Sequence, residues 1–274
     1  YGVPVYRLLG GKCRDKVRVY NHTAGRTEEE LIENAIKGKE EGFTALGHLN
    51  PYLDEPRNQP FHDNNTQMLY NAERRIARVR EAVGEDTDLC LELHRRLEPG
   101  LAVQLSARLE PYAPMFLEDP IRPDNFDEMA RVAQQCQIPI ATGERINSLF
   151  EFEMLLERGA CSYVRASIGV CGGFTGIKKI AALAEAHHKS LVPHNPLSPV
   201  TTNALLQFCA ATDNIAICEY PDPYAASTAD HLTGSGSKLR QVDMVTQIPK
   251  FEKGYVEIPE GPGLGIDLIS DVEE

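Results

Sequence analysis

The fold is decided by the segment PMFLEDPIRPDNFDEMARVAQQCQIPIATGE, residues 114–144, which contains one strand–helix–strand unit. A short apolar run lies near each end of the segment, and a glutamate follows each run, Glu118 after the first and Glu144 after the second. Between the runs, Asp124 and Asn125 are typical residues for the start of a helix. Strands that alternate with helices at this spacing are typical of parallel α/β architecture.

A third glutamate, Glu92, follows the apolar run at 89–91 and lies 26 residues before Glu118, which lies 26 residues before Glu144. Carboxylates at the carboxyl ends of three successive strands of a closed barrel would meet at one point. Three negative charges brought together repel one another unless a cation lies between them. Hard oxygen ligands favour Mg²⁺ over zinc. The sequence therefore predicts that these three residues, the glutamate triad, hold Mg²⁺.

Eight strand candidates can be counted along the chain, and helical patterns separate most of them. The predicted fold class is α/β, a (β/α)8-type barrel, because the count is eight and no GxGxxG motif follows the first strand. The strand candidates are 17–20, 44–46, 89–93, 115–117, 138–141, 162–164, 190–192 and 215–218. A polar, proline-containing stretch at 48–64 follows the second strand and is interpreted as a substrate lid, with a disordered loop as the alternative.

Composition restricts the class of protein. The 274 residues carry a net charge of -12, which argues against nucleic acid and anionic membrane as partners because both bind basic surfaces. The seven cysteines form no CxxC motif, and an odd number of them suits a reducing cytoplasm. No apolar run of membrane-spanning length and no signal peptide is found. We therefore predict a soluble cytoplasmic protein.

Further site residues are predicted at the strand ends. His94 lies two positions after Glu92, so strand alternation places it on the same side. His194 ends the seventh strand between two prolines and is a candidate general base or acid. Glu219, at the end of the eighth strand, and Arg145, directly after Glu144, are candidates for binding substrate. The carboxylate of Asp119 is expected to support a neighbouring cation rather than to join the glutamate triad.

Taken together, these motifs resemble the acid-sugar dehydratases, of mannonate, gluconate and galactonate type, in the mandelate racemase-like branch of the enolase superfamily. The resemblance covers nearly the whole chain. The matching segments are 4–11, 93–97, 116–120, 141–145, 171–173, 178–181, 193–199, 219–221 and 261–265.

The resemblance implies a mechanism and a state of assembly. One Mg²⁺ on the glutamate triad would bind the carboxylate of a sugar acid, and His194 as base would remove the adjacent proton to give an enediolate. His94 as acid would then expel the 3-hydroxyl, and tautomerisation would yield a 2-keto-3-deoxy acid. Such metal assistance with a Lys or His base is a known strategy of this superfamily. Homo-oligomers, from dimers to octamers, are implied as well.

Two departures from the family pattern leave alternatives open. Ser167 stands where galactonate-type members have an aspartate paired with the strand-seven histidine. The end of strand two reads Gly47-His48-Leu49, without the lysine of the racemases, although Tyr52 could act as a base from the loop in the mannonate manner. The alternatives are an acid-sugar epimerase or racemase, and a catalytically weak homologue that serves in binding or assembly.

The resemblance also implies a division of the chain into three parts. Residues 1–16 would be a linker from an amino-terminal α+β capping domain that is absent from this sequence. Residues 17–244 would form the catalytic barrel. Residues 245–274, which are rich in glycine, would form an extension that packs outside it.

Overall fold

The computed structural model describes residues 1–53, 64–196, 198–224 and 240–269. Eight parallel strands alternate with helices in these ranges, as the sequence predicts. The strands are β1 Lys16–His22, β2 Ala45–Leu49, β3 Asp88–Glu92, β4 Phe116–Glu118, β5 Ile140–Thr142, β6 Tyr163–Val164, β7 Ser190–Leu191 and β8 Cys218–Glu219. The helices are α1 Val5–Leu8, α2 Glu28–Glu40, α3 Asn65–Val83, α4 Pro99–Leu109, α5 Phe126–Gln135, α6 Leu149–Glu157, α7 Gly173–Ala186 and α8 Pro199–Ala210, with short 3-10 turns at Glu110–Tyr112 and Gln241–Asp243.

The sheet closes into a barrel. Strands β1 to β7 pair side by side in chain order, and β8 returns to pair with β1, where Tyr20 lies opposite Glu219. The remaining gap between β7 and β8 is bridged by Leu191 and Ile215, and the backbone N–H of Ala216 donates to the Leu191 carbonyl at 2.9 Å. The fold-class prediction is therefore confirmed. All eight carboxyl ends face one end of the cylinder, which is where such barrels place their functional residues.

Six of the eight strands lie within two residues of the predicted bounds at each end, and two, β2 and β8, differ by three residues at one end. The second strand was expected at 44–46, but β2 continues to Leu49, which is fully buried and lies opposite Leu91 of β3. The register of this pair shifts between Leu46 and Leu49, so alternation alone did not reveal where the strand ends. The predicted lid at 48–64 consequently begins inside β2, and its residues 54–63 lie outside the described ranges. The eighth strand is also displaced, because the chain pairs with β1 only at Cys218–Glu219.

Buried side chains form two layers. The larger cluster fills the space between the strands and the surrounding helices. The smaller cluster fills the inside of the barrel with Tyr20, Ala45, Cys90, Phe116, Ala141, Val192 and Ile217. Because strand side chains alternate, the residues two positions after Cys90 and Phe116 point inward as well. Those residues are Glu92 and Glu118, so the strand period itself delivers two carboxylates to the mouth of the barrel.

A two-stranded antiparallel hairpin, β9 Phe251–Glu252 and β10 Tyr255–Glu257, extends the sheet next to β1. Strand β10 pairs antiparallel with β1 over Lys16 to Arg18. Near the amino terminus, Pro4 forms a parallel bridge with Gly263, so the two ends of the described chain lie side by side. The proposed division at 1–16, 17–244 and 245–274 stays a prediction. In the ranges that the structure describes, no helix combines the length and apolar composition needed to cross a membrane.

Replacing Gly47 with alanine is expected to destabilise the barrel by about 1–3 kcal/mol, the usual cost of overpacking a core. An added Cβ would lie 2.0 Å from Cδ2 of the buried Tyr20 ring, which fills the inside of the barrel. As a matched control, Gly100→Ala in the first turn of α4 meets no atom within 4 Å and should be neutral or slightly stabilising. Chemical denaturation of both variants checks the difference, and an equal effect of the two would contradict it.

Candidate active site

The glutamate triad lies at the mouth of the barrel. Glu92 and Glu118 end β3 and β4 and face each other in the parallel register, and Glu144 follows β5. Gly143 has a φ of 136°, a conformation that suits glycine, and it turns the chain so that Glu144 points back towards the other two. One carboxylate oxygen from each residue lies within 4.8 Å of the others. The structure thus brings together the three residues that the 26-residue interval selects.

The charges of the triad are only partly balanced by the protein. Burial raises the pKa of Glu92 well above its usual range, and the neighbouring carboxylates of Glu118 and Asp119 add to this effect. Burial likewise raises the pKa of Glu118 to about 7, although Arg165 acts in the opposite direction. Burial would also raise the pKa of Glu144, but His194 and nearby arginines outweigh it and lower that pKa. Converging carboxylates with this surplus of negative charge fit a hard divalent cation.

Asp119 has a separate partner. Its Oδ2 accepts from Nη1 of Arg95 at 2.5 Å, and its Oδ1 accepts from the Thr142 hydroxyl at 2.6 Å. The same Arg95 nitrogen donates to Oε1 of Glu144 at 2.7 Å. Asp119 therefore holds a cationic side chain against one member of the triad, the supporting position that the sequence suggests for it.

Arg165 is the central residue that the sequence reasoning missed. It is 1% exposed, and its Nε donates to Oε1 of Glu118 at 2.6 Å, while its Nη2 donates to Oε2 of Glu219 at 2.8 Å. Its Nη1 donates to the carbonyl of Val192 at 3.0 Å. The guanidinium thus links β4, β7 and β8 across the interior. The sequence did contain one indication of this role, because Arg165 directly follows the sixth predicted strand. A strand end in a barrel is mostly buried, and a buried arginine needs acidic partners.

Glu219 is fixed on both of its oxygens. Its Oε1 accepts from Nε2 of His22 at 2.7 Å, and its Oε2 accepts from the backbone N–H of Asn195 at 2.7 Å in addition to Arg165. Burial would raise the pKa of Glu219, but Arg165 and His194 outweigh burial and lower it well below its usual range. Glu219 therefore stays ionised at neutral pH.

Three histidines line the mouth next to Glu219 and Glu92. The ring centroids of His22 and His48 lie 4.8 Å apart with their planes nearly parallel, and the centroids of His48 and His94 also lie 4.8 Å apart. Burial lowers the pKa of His48 to about 3 and that of His94 to about 4, so both rings are neutral at pH 7. His48 was not among the predicted site residues, although it lies in the strand-two segment that the sequence singles out.

His94 reaches the site by a route that differs from the predicted one. We expected strand alternation to carry it to the side of Glu92, but β3 ends at Glu92, and His94 has a φ of 50°. Its backbone N–H donates to Oε1 of Glu92 at 2.7 Å. The chain therefore turns sharply after the strand, and a left-handed residue rather than the strand period directs the ring. A single sequence does not reveal such a turn when the residue is not glycine.

His194 lies on the other side of the triad. Its Nε2 is 3.1 Å from Oε2 of Glu144. Burial would lower the pKa of His194, but the carboxylates of Glu219 and Glu144 outweigh it and raise that pKa. The other ring nitrogen, Nδ1, is buried and has no hydrogen-bond partner among the described residues, and the same is true of the Ser167 hydroxyl. Their backbones form a parallel bridge, so the histidine and the serine occupy neighbouring positions at the strand ends.

Two further candidates from the sequence, Arg145 and Tyr52, lie in different surroundings. The side chain of Arg145 is 63% exposed, and its Nε is 3.6 Å from Oε1 of Glu144, so it lies at the rim of the site. Tyr52 is buried in the core layer between strands and helices. Burial raises the pKa of the Tyr52 hydroxyl, so less of this residue is in the ionised form that would act as a base.

Comparison with known proteins provides the family context. The sequence profile of a family described as enolase C-terminal domain-like matches residues 56–272. The D-galactonate dehydratase of Ralstonia pickettii is 34% identical over 269 residues, which cover 97% of this chain and 66% of that protein. A D-mannonate dehydratase of Caulobacter vibrioides is 31% identical over 291 residues, which cover 99% of this chain and 69% of that protein. The chain thus spans 66% of the length of the Ralstonia relative.

Solved structures agree in fold. An enolase from Agrobacterium radiobacter, provisionally named a galactarate dehydratase and solved with bound sodium and L-malate, superposes with a TM-score of 0.86 at 30% identity. The match covers 98% of this chain and 68% of that one. A protein from Zymomonas mobilis, provisionally named a dehydratase, superposes with a TM-score of 0.89 at 26% identity and covers 99% of this chain and 70% of that one.

Proposed function

Because this chain belongs to the enolase C-terminal domain-like family, we propose that it catalyses the Mg²⁺-dependent dehydration of a sugar acid, an aldonate, to a 2-keto-3-deoxy acid. One observation carries the proposal: three carboxylates, of which Glu92 and Glu118 are buried and Glu144 is largely buried, converge within 4.8 Å and have histidines beside them. The names of the two relatives, a D-galactonate and a D-mannonate dehydratase, support the substrate class. The L-malate bound to the Agrobacterium neighbour is itself a hydroxy acid, which agrees with this class.

The glutamate triad would hold the Mg²⁺. The donor set supports this, because all three ligands are hard oxygens and the pKa values of Glu92 and Glu118 are raised in a way that a divalent cation would relieve. When bound, Mg²⁺ would supply positive charge that makes the proton beside the substrate carboxylate more acidic. Arg95 and Arg165 would keep Glu144 and Glu118 in place, since each guanidinium donates to one of these carboxylates.

Two histidines would move the protons. In the proposed reaction His194 takes the proton from C2, which gives an enediolate. His94 then protonates the 3-hydroxyl, which leaves as water, and the resulting enol tautomerises to the 2-keto-3-deoxy acid. This step requires the imidazolium form of His94, which is a minor species at pH 7 because burial lowers the pKa of the ring to about 4. Both imidazoles lie near a carboxylate of the triad. Nε2 of His194 is 3.1 Å from Glu144, and a ring nitrogen of His94 lies within 4.8 Å of a carboxylate oxygen of Glu92. The carboxylates of Glu219 and Glu144 raise the pKa of His194, and a cation on Glu144 would remove that residue's part of the attraction, which favours the neutral ring that a base requires.

The proposal is tested by incubating the protein and Mg²⁺ with a panel of aldonates and assaying the 2-keto-3-deoxy product. In D₂O, His194→Asn is expected to lose the exchange of the C2 proton with solvent as well as the product. His94→Asn is expected to retain C2 exchange but to lose product formation by about 10²–10⁴-fold, the usual contribution of a general acid. The reverse pattern would exchange the roles of the two residues, and full activity of His94→Asn would remove it from the mechanism.

The same assay separates the alternatives. Inversion of a stereocentre without loss of water would indicate an epimerase or racemase. Tight Mg²⁺ binding without turnover of any aldonate would indicate a catalytically weak homologue with a binding or assembly role. Homo-oligomerisation, a cytoplasmic location, and the lack of nucleic acid and membrane partners stay predictions, which size-exclusion chromatography with light scattering, localisation and binding assays can check.

A further inference from the structure

We propose that the mouth of the barrel contains a second cation site, a transition-metal site formed by His22, His48 and Glu219, which we term the histidine–carboxylate cluster. It would take a late first-row divalent ion such as Zn²⁺. One ligand atom from each of the three residues lies within 4.8 Å of the other two. No residue of the cluster belongs to the glutamate triad, and the inference does not depend on the proposed dehydratase activity.

The cluster is built in the same way as the glutamate triad. Strands β8, β1 and β2 are neighbours, with β1 in the middle, and each contributes one donor near its carboxyl end. The triad uses the next three strands, β3 to β5. Rigid, hydrogen-bonded strands hold the donors of both groups, so little chain entropy is lost when an ion binds. The two groups differ in donor type rather than in construction.

The donor atoms already lie close together. The rings of His22 and His48 stack with an angle of 24° between their planes, and Nε2 of His22 lies 2.7 Å from Oε1 of Glu219. Tetrahedral ligands at about 2.1 Å from a zinc ion are about 3.4 Å apart. The donor atoms, all within 4.8 Å of one another, therefore need to move inward by about 1 Å or less to share an ion.

The carboxylate also has the supporting contacts that metal ligands typically have. Oε2 of Glu219 is held by Arg165 and by the backbone N–H of Asn195, which leaves Oε1 directed towards His22. Such contacts orient a ligating oxygen before the ion arrives. The positive charge of Arg165 would repel a nearby cation. Arg165 pairs with two carboxylates, Glu118 and Glu219, so these three side chains together keep a net negative charge when both glutamates are ionised.

Ligand chemistry selects the ion. Imidazole nitrogen suits Zn²⁺, Ni²⁺ and Co²⁺, whereas Mg²⁺ requires oxygen donors in octahedral geometry. Two divalent cations can lie as close as about 3.5–4 Å in one protein site. Zn²⁺ in the cluster would engage His48, which also lies next to Glu92 and His94. We therefore expect Zn²⁺ to bind in addition to Mg²⁺ rather than to replace it.

The test is calorimetric titration of the purified protein with Zn²⁺ in saturating Mg²⁺. One equivalent of Zn²⁺ is expected to bind to the wild type. His22→Gln and His48→Gln should each weaken Zn²⁺ affinity more than about tenfold, because loss of a residue that only supports a metal ligand already costs about tenfold or more. His188→Gln, at an exposed histidine after α7, should bind like the wild type. Circular dichroism of each variant establishes that the fold is retained.

Co²⁺ provides an independent readout, because tetrahedral coordination of this ion gives stronger visible absorption than octahedral coordination does. The strong bands are expected in the wild type and should be lost in both cluster variants. Three results would overturn the inference: the absence of Zn²⁺ binding in saturating Mg²⁺, unchanged affinity in both cluster variants, and loss of binding in Glu92→Gln alone. The last result would mean that Zn²⁺ simply replaces Mg²⁺ on the glutamate triad.

Discussion

Replacing Glu92 with glutamine is expected to stabilise the protein in the absence of divalent cations and to abolish its stabilisation by Mg²⁺. Glu92 is 2% exposed and accepts one hydrogen bond, from the backbone N–H of His94. A glutamine carbonyl can accept that bond, and its amide can donate to the neighbouring carboxylates. Removing a poorly compensated buried charge should be worth about 1–3 kcal/mol. Thermal melting in EDTA and in millimolar Mg²⁺ measures both effects.

The gain should depend on pH with a definite sign. The pKa of Glu92 is raised in the folded state. At a pH between the ordinary pKa of a glutamate and this raised pKa, Glu92 is therefore protonated in the folded protein and ionised in the unfolded chain. Wild-type stability therefore falls relative to the variant as pH rises above about 4.5, since glutamine does not titrate. Glu153→Gln, at an exposed position of α6, should show neither effect. A destabilised Glu92 variant that still responds to Mg²⁺ would exclude Glu92 as a ligand.

The sequence predicted the glutamate triad because its information is local and periodic. Strand alternation places Glu92 and Glu118 two residues after inward-facing Cys90 and Phe116, and the repeat of the strand–helix unit fixes their spacing. Strand order in a parallel barrel follows chain order, so residues at successive strand ends become neighbours without any long-range information. The eight strands were predictable on the same basis, and their ends were not.

What the sequence did not reveal depends on contacts across the barrel. Arg165 bridges Glu118 and Glu219, which are 47 and 54 residues away along the chain, and no local pattern indicates that pairing. His48 joins His22 and His94 only because β2 runs three residues beyond its predicted end. The ring of His94 is directed by a left-handed backbone, which is uncommon outside glycine. The sequence therefore did not predict which residues compensate the buried charges or where the chain turns through a left-handed residue.

Substituting Arg165 with methionine is expected to cost about 3–5 kcal/mol of folding free energy, the largest effect of any single change proposed for this protein. The guanidinium is fully buried and pairs with both Glu118 and Glu219. Its loss leaves these two buried carboxylates without their shared cation. The carbonyl oxygens of Val192 and Pro193 also lose a donor. Chemical denaturation measures the change, and Arg122→Met, whose exposed side chain lies 3.5 Å from Glu98, should cost less than about 1 kcal/mol.

A second substitution separates lost charge compensation from lost packing. If uncompensated carboxylates cause the cost, then Glu219→Gln should be less destabilising in the Arg165→Met background than in the wild type, where it removes a partner of the buried cation. The two changes would then be non-additive by about 0.5–3 kcal/mol. Strict additivity would mean that Arg165 acts through its volume alone. The non-additive result would identify one buried arginine as the residue that allows the glutamate triad, proposed to hold Mg²⁺, and Glu219, predicted to bind substrate, to share a single barrel mouth.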